Sequence, residues 1–253
     1  MTAPAPVVVV SRDPGVLAAA VAARLVTRLV DAQALRGGAS VVLTGGSIGI
    51  AALRSLAEAP ARHAVDWRRV DVWWGDERFL AADDPERNER QARDALLDAL
   101  DLDPARIHPM GALGGPDGDD ADAAAARYAD ELLAGGEAVP SFDVLLLGMG
   151  PEGHTASIFP ESPAAYDERV VLAVHGCPKP PPTRISMGFA AINRAREVWL
   201  VVTGADKASA VTMALSGAGR VQIPAAGAVG RAQTLWLLDE GAASQLPRDL
   251  RRL

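Results

Sequence analysis

The stretch Leu145–Pro160, LLLGMGPEGHTASIFP, runs from an apolar segment into a glycine-rich turn that presents His154. An imidazole with its ordinary pKa of about 6.5 gives and takes protons at neutral pH, and a nearby carboxylate can fix its tautomer. Glu152, two residues earlier, is one candidate for that carboxylate. The chain has four histidines, and His63, His108 and His175 lack such surroundings, so they read as structural or surface residues. Three further segments carry reactive side chains. Thr44-Gly45-Gly46-Ser47 reads either as an anion cradle at a helix start or as a turn with Ser47 as N-cap. Gly75-Asp76-Glu77-Arg78 supplies Asp76, a second candidate to orient a proton carrier. It also supplies Arg78, able to clamp an oxyanion or phosphate with paired N–H groups. Thr203-Gly204-Ala205-Asp206-Lys207 places a compact ammonium, Lys207, at a helix start in a chain whose positive charge is almost all arginine. The other lysine, Lys179, lies in the run PKPPPT and reads as solvated. Arg184, in Thr183-Arg184-Ile185-Ser186, reads equally as a second phosphate ligand or a structural ion pair.

Several chemistries are not expected. Gly148, Gly150 and Gly153 match the G-x-G-x-x-G spacing of dinucleotide loops, but Pro160 and Pro163 cut short any helix behind them. The nearest acids, Asp167 and Glu168, precede the next strand instead of ending it, so no nicotinamide cofactor is expected. The first glycine loop lacks the Gly-Lys-Ser/Thr ending of a nucleotide-binding P-loop. No two histidines stand at metal-ligand spacing, so no metal is expected. A single cysteine, Cys177, excludes an internal disulfide framework. A net charge of −7 disfavours nucleic acid and anionic membranes as partners. The opening MTAPAPVVVVSRD lacks the basic start of a signal peptide, and no stretch approaches a membrane span. The expectation is a cytoplasmic protein without nucleic-acid or membrane partners, with a monomer favoured.

The elements that must position these residues alternate along the chain. Strands are predicted at Pro6–Val10, Ser40–Thr44, Val70–Trp74, Phe142–Leu147, Arg169–Val174, Glu197–Thr203 and Thr234–Leu238. Helices are predicted at Asp13–Val30, after Ser47 to about Glu58, from about Pro85 to Leu100, at Ala121–Leu133 and at Asp206–Leu215. Continuously apolar strands separated by helices indicate a doubly wound α/β fold, its mostly parallel sheet flanked by helices on both faces. With no repeat or linker, residues 1–253 read as a single α/β domain. Ligands of such folds bind beyond the C-terminal strand ends, where the reactive segments fall.

LTGGS, WWGDERF, LLLGMGPEGHTASIFP, RISM and VTGADKA stand in the order and approximate spacing of the 6-phosphogluconolactonases, within the glucosamine/galactosamine-6-phosphate isomerase superfamily. The resemblance runs from about Val8 to Leu238. It implies a metal-free, doubly wound enzyme that hydrolyses 6-phosphoglucono-δ-lactone in the oxidative pentose phosphate pathway, so the implied partner is a small sugar-phosphate lactone. It also implies His154 as the proton-transfer residue, and Arg78, Arg184 and Lys207 as holding the phosphorylated substrate. Two departures stand out: Glu152 replaces the family's usual Asp, and Ser47-Ile48-Gly49 replaces Ser-Thr-Pro. The related glucosamine-6-phosphate deaminases carry a glutamate where this chain has Phe159. A sugar-phosphate sensor would share the anion-binding loops but usually carries a DNA-binding module.

Lactone hydrolysis suits the residues. No Ser–His–Asp constellation is evident, so water attacks directly. His154 takes its proton, oriented by Glu152 or Asp76. Arg78 stabilises the oxyanion or binds substrate, and Gly45, Gly46, Ser47, Arg184 and Lys207 hold the phosphate.

Overall fold

The structure, a computed structural model, describes residues 4–134, 136, 139–248 and 250. In chain order its main elements are β1 (Val7–Ser11), α1 (Pro14–Arg36), β2 (Ala39–Leu43), α2 (Gly46–Glu58), β3 (Val70–Trp74) and β4 (Asp76–Arg78). Then come α3 (Asn88–Ala95), β5 (Ile107–His108), α4 (Ala121–Leu133), β6 (Val144–Leu147), β7 (Val171–Val174) and β8 (Arg184–Met187). The chain closes with α5 (Phe189–Ile192), β9 (Glu197–Val202), α6 (Ala208–Leu215) and β10 (Gln233–Asp239). Seven of these strands form one parallel sheet in the order β1-β10-β9-β6-β2-β3-β5.

The continuous apolar strands follow from burial on both faces. Along β2, Val41 and Leu43 pack on one face with α1, α2 and α3, while Val42 packs on the other. In β6, Val144 and Leu146 join the first face, Leu145 and Leu147 the second. The second face is covered by α4, α5, α6 and a small separate sheet. The adjacent tryptophans divide likewise: Trp73 goes to the second face, stacked on His108 at 3.7 Å, and Trp74 to the first. Both thereby anchor the segment that follows them.

Strand order reverses between the parallel neighbours β2 and β6. From β2 the order runs outward through β3 and β5; from β6 it runs outward the other way through β9, β10 and β1. Helices leave neighbouring strands toward opposite faces at such a point, opening a crevice beyond the strand ends. The loops after β2 and β6 border that crevice and touch, with Gly148 N donating to Thr44 Oγ1 at 3.3 Å.

Some predicted elements differ. The segment after Arg169 is not in the parallel sheet: β7 pairs antiparallel with β8, and β8 with β4, in a three-stranded sheet. Gly75-Asp76-Glu77-Arg78, read as a loop, therefore contains a strand. α1 runs on to Arg36 and stops at Gly37, whose left-handed φ of 78° lets its N–H reach Gln33 O. The helix predicted from Pro85 to Leu100 is Asn88–Ala95 followed by a tight turn at Leu97–Ala99. Ser47 is not the N-cap of α2: Gly45 occupies that position, without a side-chain cap.

A buried ionic knot ties the small sheet to α3. Glu77, 0% exposed, accepts N–H bonds from Arg78 (2.8 Å), Asn88 (2.7 Å) and Glu89 (2.8 Å). The Arg87 guanidinium, also buried, lies 3.7 Å from the same carboxylate and donates to Met110 O and Gly111 O. Burial pushes the Glu77 carboxyl up to about 7, against the pull of Arg87 and the three N–H groups. Removing one partner of such a pair strands the other charge and typically costs about 3–5 kcal/mol. Glu77→Ala is therefore expected to lose about that much stability in urea unfolding; a loss under about 1 kcal/mol, the scale of an exposed pair, would refute the knot.

Candidate active site

The turn after β6 is built around its imidazole. Gly150 N donates to His154 O at 3.0 Å and Gly153 N to Gly150 O at 2.9 Å, folding the turn back on itself. The turn brings the His154 ring over Gly150, where an added Cβ would lie 2.1 Å from Nδ1. The glycine spacing thus accommodates an imidazole. It opens no helix, which removes the geometric basis of a dinucleotide loop.

Glu152 Oε1 lies 2.9 Å from His154 Nδ1, so the carboxylate question left open by the sequence has a geometric answer. Asp76 is committed elsewhere, its Oδ2 accepting from Ser157 Oγ at 2.7 Å and its backbone O from Asn88 Nδ2 at 2.8 Å. It lines the same cavity and its charge favours the imidazolium, but it makes no hydrogen bond to the ring. An ionised carboxylate at Nδ1 places the neutral ring's proton there and leaves Nε2 as the acceptor.

Burial dominates the imidazole's titration and holds it below the ordinary histidine value; the charge of Glu152 pulls the other way. Burial alone would raise Glu152. Its own backbone N–H, Lys179 and His154 outweigh that and keep it below the usual range. At neutral pH the pair is a neutral imidazole on a carboxylate, the state a base requires. Phe159 stacks on the ring, centroids 4.5 Å apart, so the position that carries a glutamate in the deaminases presents an apolar face here.

A cavity of about 200 Å³ collects nearly all the other predicted residues: Gly45, Gly46, Ser47, Asp76, Arg78, His154, Arg184 and Lys207. Glu152 stands behind the imidazole and does not line it. Gly45 and Gly46 start α2, directing the positive end of a 13-residue helix at the cavity. Gly45 must be small, because a Cβ there would lie 1.9 Å from Asn88 Oδ1. Arg78 and Arg184 are direct cross-strand partners of β4 and β8. Like charges so opposed repel, and an anion between them would relieve the repulsion. The buried Arg78 Nε has no hydrogen-bond partner, while Nη1 bonds Glu86 O. Arg184 lines the cavity and donates to the carbonyls of Lys179, Pro180 and Pro181 through Nε and Nη2. Among the described residues it makes no ion pair, so its structural role is hydrogen bonding to backbone and not the expected salt bridge. Lys207 pairs with Asp206 at 3.1 Å.

Sequence reasoning missed four participants. Lys179, read as solvated, instead donates to Glu152 Oε2 at 3.0 Å. Ser157 and Glu77, inside recognised motifs but assigned no role there, and Asn88, outside them, fix Asp76 and Arg78. The remaining residues behave as expected: His108 and His175 pair with Glu131 and Asp122, away from the cavity. Burial pushes the Cys177 thiol up, which disfavours the nucleophilic thiolate. Among the described residues, no three His, Cys, Asp or Glu side chains cluster to hold a metal ion. Nor is any helix there long and apolar enough to cross a membrane.

Fold and site together define a doubly wound α/β protein with an arginine- and lysine-lined cleft at its switch point. Residues 12–236 match the family model described as glucosamine-6-phosphate isomerases/6-phosphogluconolactonase. The chain is 62% identical to a 6-phosphogluconolactonase of Streptomyces coelicolor over 251 residues, covering 97% of this chain and 96% of the relative. It is 52% identical to that of Mycobacterium tuberculosis, covering 93% and 96%. The solved structure of 6-phosphogluconolactonase from Trypanosoma brucei superimposes with a TM-score of 0.82 at 30% identity, over 97% of this chain and 100% of that one. The chain belongs to the glucosamine-6-phosphate isomerase/6-phosphogluconolactonase family.

The Glu152 charge raises the His154 midpoint while burial lowers it, so Glu152→Gln is expected to move that midpoint further down. The His154 Hε1 resonance followed against pH reads it directly. An upward move would refute the pairing.

Proposed function

We propose that the chain hydrolyses 6-phospho-D-glucono-1,5-lactone to 6-phosphogluconate, the lactonase step of the oxidative pentose phosphate pathway, without a metal or cofactor. The observation that carries the reading is the Glu152-bound imidazole beside a cavity rimmed by two opposed arginines. The names of the close relatives support the same substrate. Every residue of the proposed site belongs to this one chain, which fits a monomer; a single α/β domain over residues 1–253 and action in the cytoplasm are part of the same proposal.

Water on the cavity side of the ring gives its proton to Nε2 as its oxygen bonds to C1 of the lactone. Glu152 stabilises the imidazolium that forms. Negative charge gathers on the former carbonyl oxygen, and the Arg78 guanidinium that lines the cavity supplies positive charge for it. The tetrahedral carbon then expels the ring oxygen, which takes the proton back from Nε2. One water is consumed, and the product carboxylic acid ionises in solution. Ser47, Lys207, the N–H groups of Gly45 and Gly46, and Arg184 Nη1 hold the phosphate and align the ring. The proton cycle closes on the imidazole alone, with Phe159 stacked on its ring.

Proton release from fresh lactone, in weak buffer with chelator and beside an enzyme-free control, tests the reading. The wild-type protein is expected to exceed the control clearly. His154→Ala is expected to lose about 10²- to 10⁴-fold, the usual contribution of a positioned proton carrier. Near-full activity in His154→Ala, or wild-type release no faster than the control, would overturn it.

A further inference from the structure

Glu152 uses both of its oxygens. Oε1 meets the imidazole, and Oε2 accepts from Lys179 Nζ at 3.0 Å. An ion pair between half-exposed side chains ordinarily contributes little, because a long lysine must give up its freedom to make it. Here the backbone beneath the lysine is fixed from below. Arg184, buried at the start of β8, donates through Nη2 to Lys179 O (3.2 Å) and Pro180 O (3.0 Å), and through Nε to Pro181 O (3.2 Å). Cys177 N closes the same loop on Pro182 O at 2.9 Å. The proline run is thus a rigid arm, and its lysine reaches the far side of the carboxylate.

We propose that Lys179 is a positioning residue of the lactonase reaction: it locks Glu152 against His154 and opposes the imidazole's protonation. The proposal rests on the reading of His154 as proton carrier. A carboxylate with one partner can swing away, or favour the imidazolium so strongly that less of the ring is free base at neutral pH. A cation on the opposite oxygen prevents both. The charges facing the ring come from every side of the cavity: Glu152 on its own turn, Asp76 and Arg78 on β4, Lys179 and Arg184 on the arm and β8, and Lys207 beyond β9. Glu152 and Asp76 favour the imidazolium, and Lys179 opposes it.

Lys179→Met and Lys179→Arg, made in the full chain, test the proposal with the His154 Hε1 titration and the pH dependence of kcat and KM. In Lys179→Met the His154 midpoint is expected to rise by about half a pH unit or more, the scale of one partly solvated charge at this range. On the acid limb, well below the midpoint, kcat/KM is then expected to fall about threefold, the limit a half-unit rise allows. The loss falls on kcat, with KM within about twofold. Lys179→Arg restores both readouts. An unmoved midpoint in a folded Lys179→Met variant, an effect confined to KM, or no rescue by arginine would each overturn the proposal. An active His154→Ala would instead overturn the proton-carrier reading, and the proposal with it.

Discussion

Reversal of the strand order between the parallel neighbours β2 and β6 is the constraint on which the rest depends. A parallel sheet covered on both faces leaves its polar segments only one place to gather, beyond the C-terminal strand ends, and only the switch point opens a crevice there. The two loops that border it must come close, and both are built of small residues. Gly45 makes room for Asn88, and Gly150 makes room for the imidazole. Size exclusion at two backbone positions thus sets where the reactive groups can stand.

The small antiparallel sheet supplies the charge. Pairing β4 with β8 sets Arg78 opposite Arg184, an arrangement with a standing cost until an anion arrives. The Glu77–Arg87 knot offsets part of that cost by fixing β4 to α3 through two backbone N–H bonds, from Asn88 and Glu89. The opposed arginines are therefore held by buried structure. Under the proposed function, such a cleft is pre-organised for the substrate phosphate.

Much of this was legible in the sequence because it is local. The strand-to-turn passage after β6 and the strand-to-helix passage at TGGS were legible, since glycine placement and unbroken apolar runs have direct steric meaning, although Gly45 and not Ser47 caps α2. The chemistry-bearing residues gathered as the strand-end rule requires. What stayed hidden was set by tertiary pairing. Short strands such as β4 and β7 carry no periodicity that tells antiparallel from parallel neighbours. Glu77 and Asn88 stand eleven positions apart and meet only because β4 is followed by a turn into α3. Lys179 in PKPPPT has the composition of a solvated loop, and only the folded arm aims it at Glu152. The departure from Asp to Glu152 reads as a doubt in sequence, yet the longer side chain reaches both the ring and the lysine.

The central claim is that a buried, carboxylate-bound and neutral His154 is the base. The most direct test sets two curves from the wild-type protein side by side: the acid limb of kcat/KM for the lactone and the His154 Hε1 titration of the free protein. The account predicts one shared midpoint, below the ordinary histidine value of about 6.5. An acid limb governed by a group other than His154, with the imidazole titrating elsewhere, would contradict it.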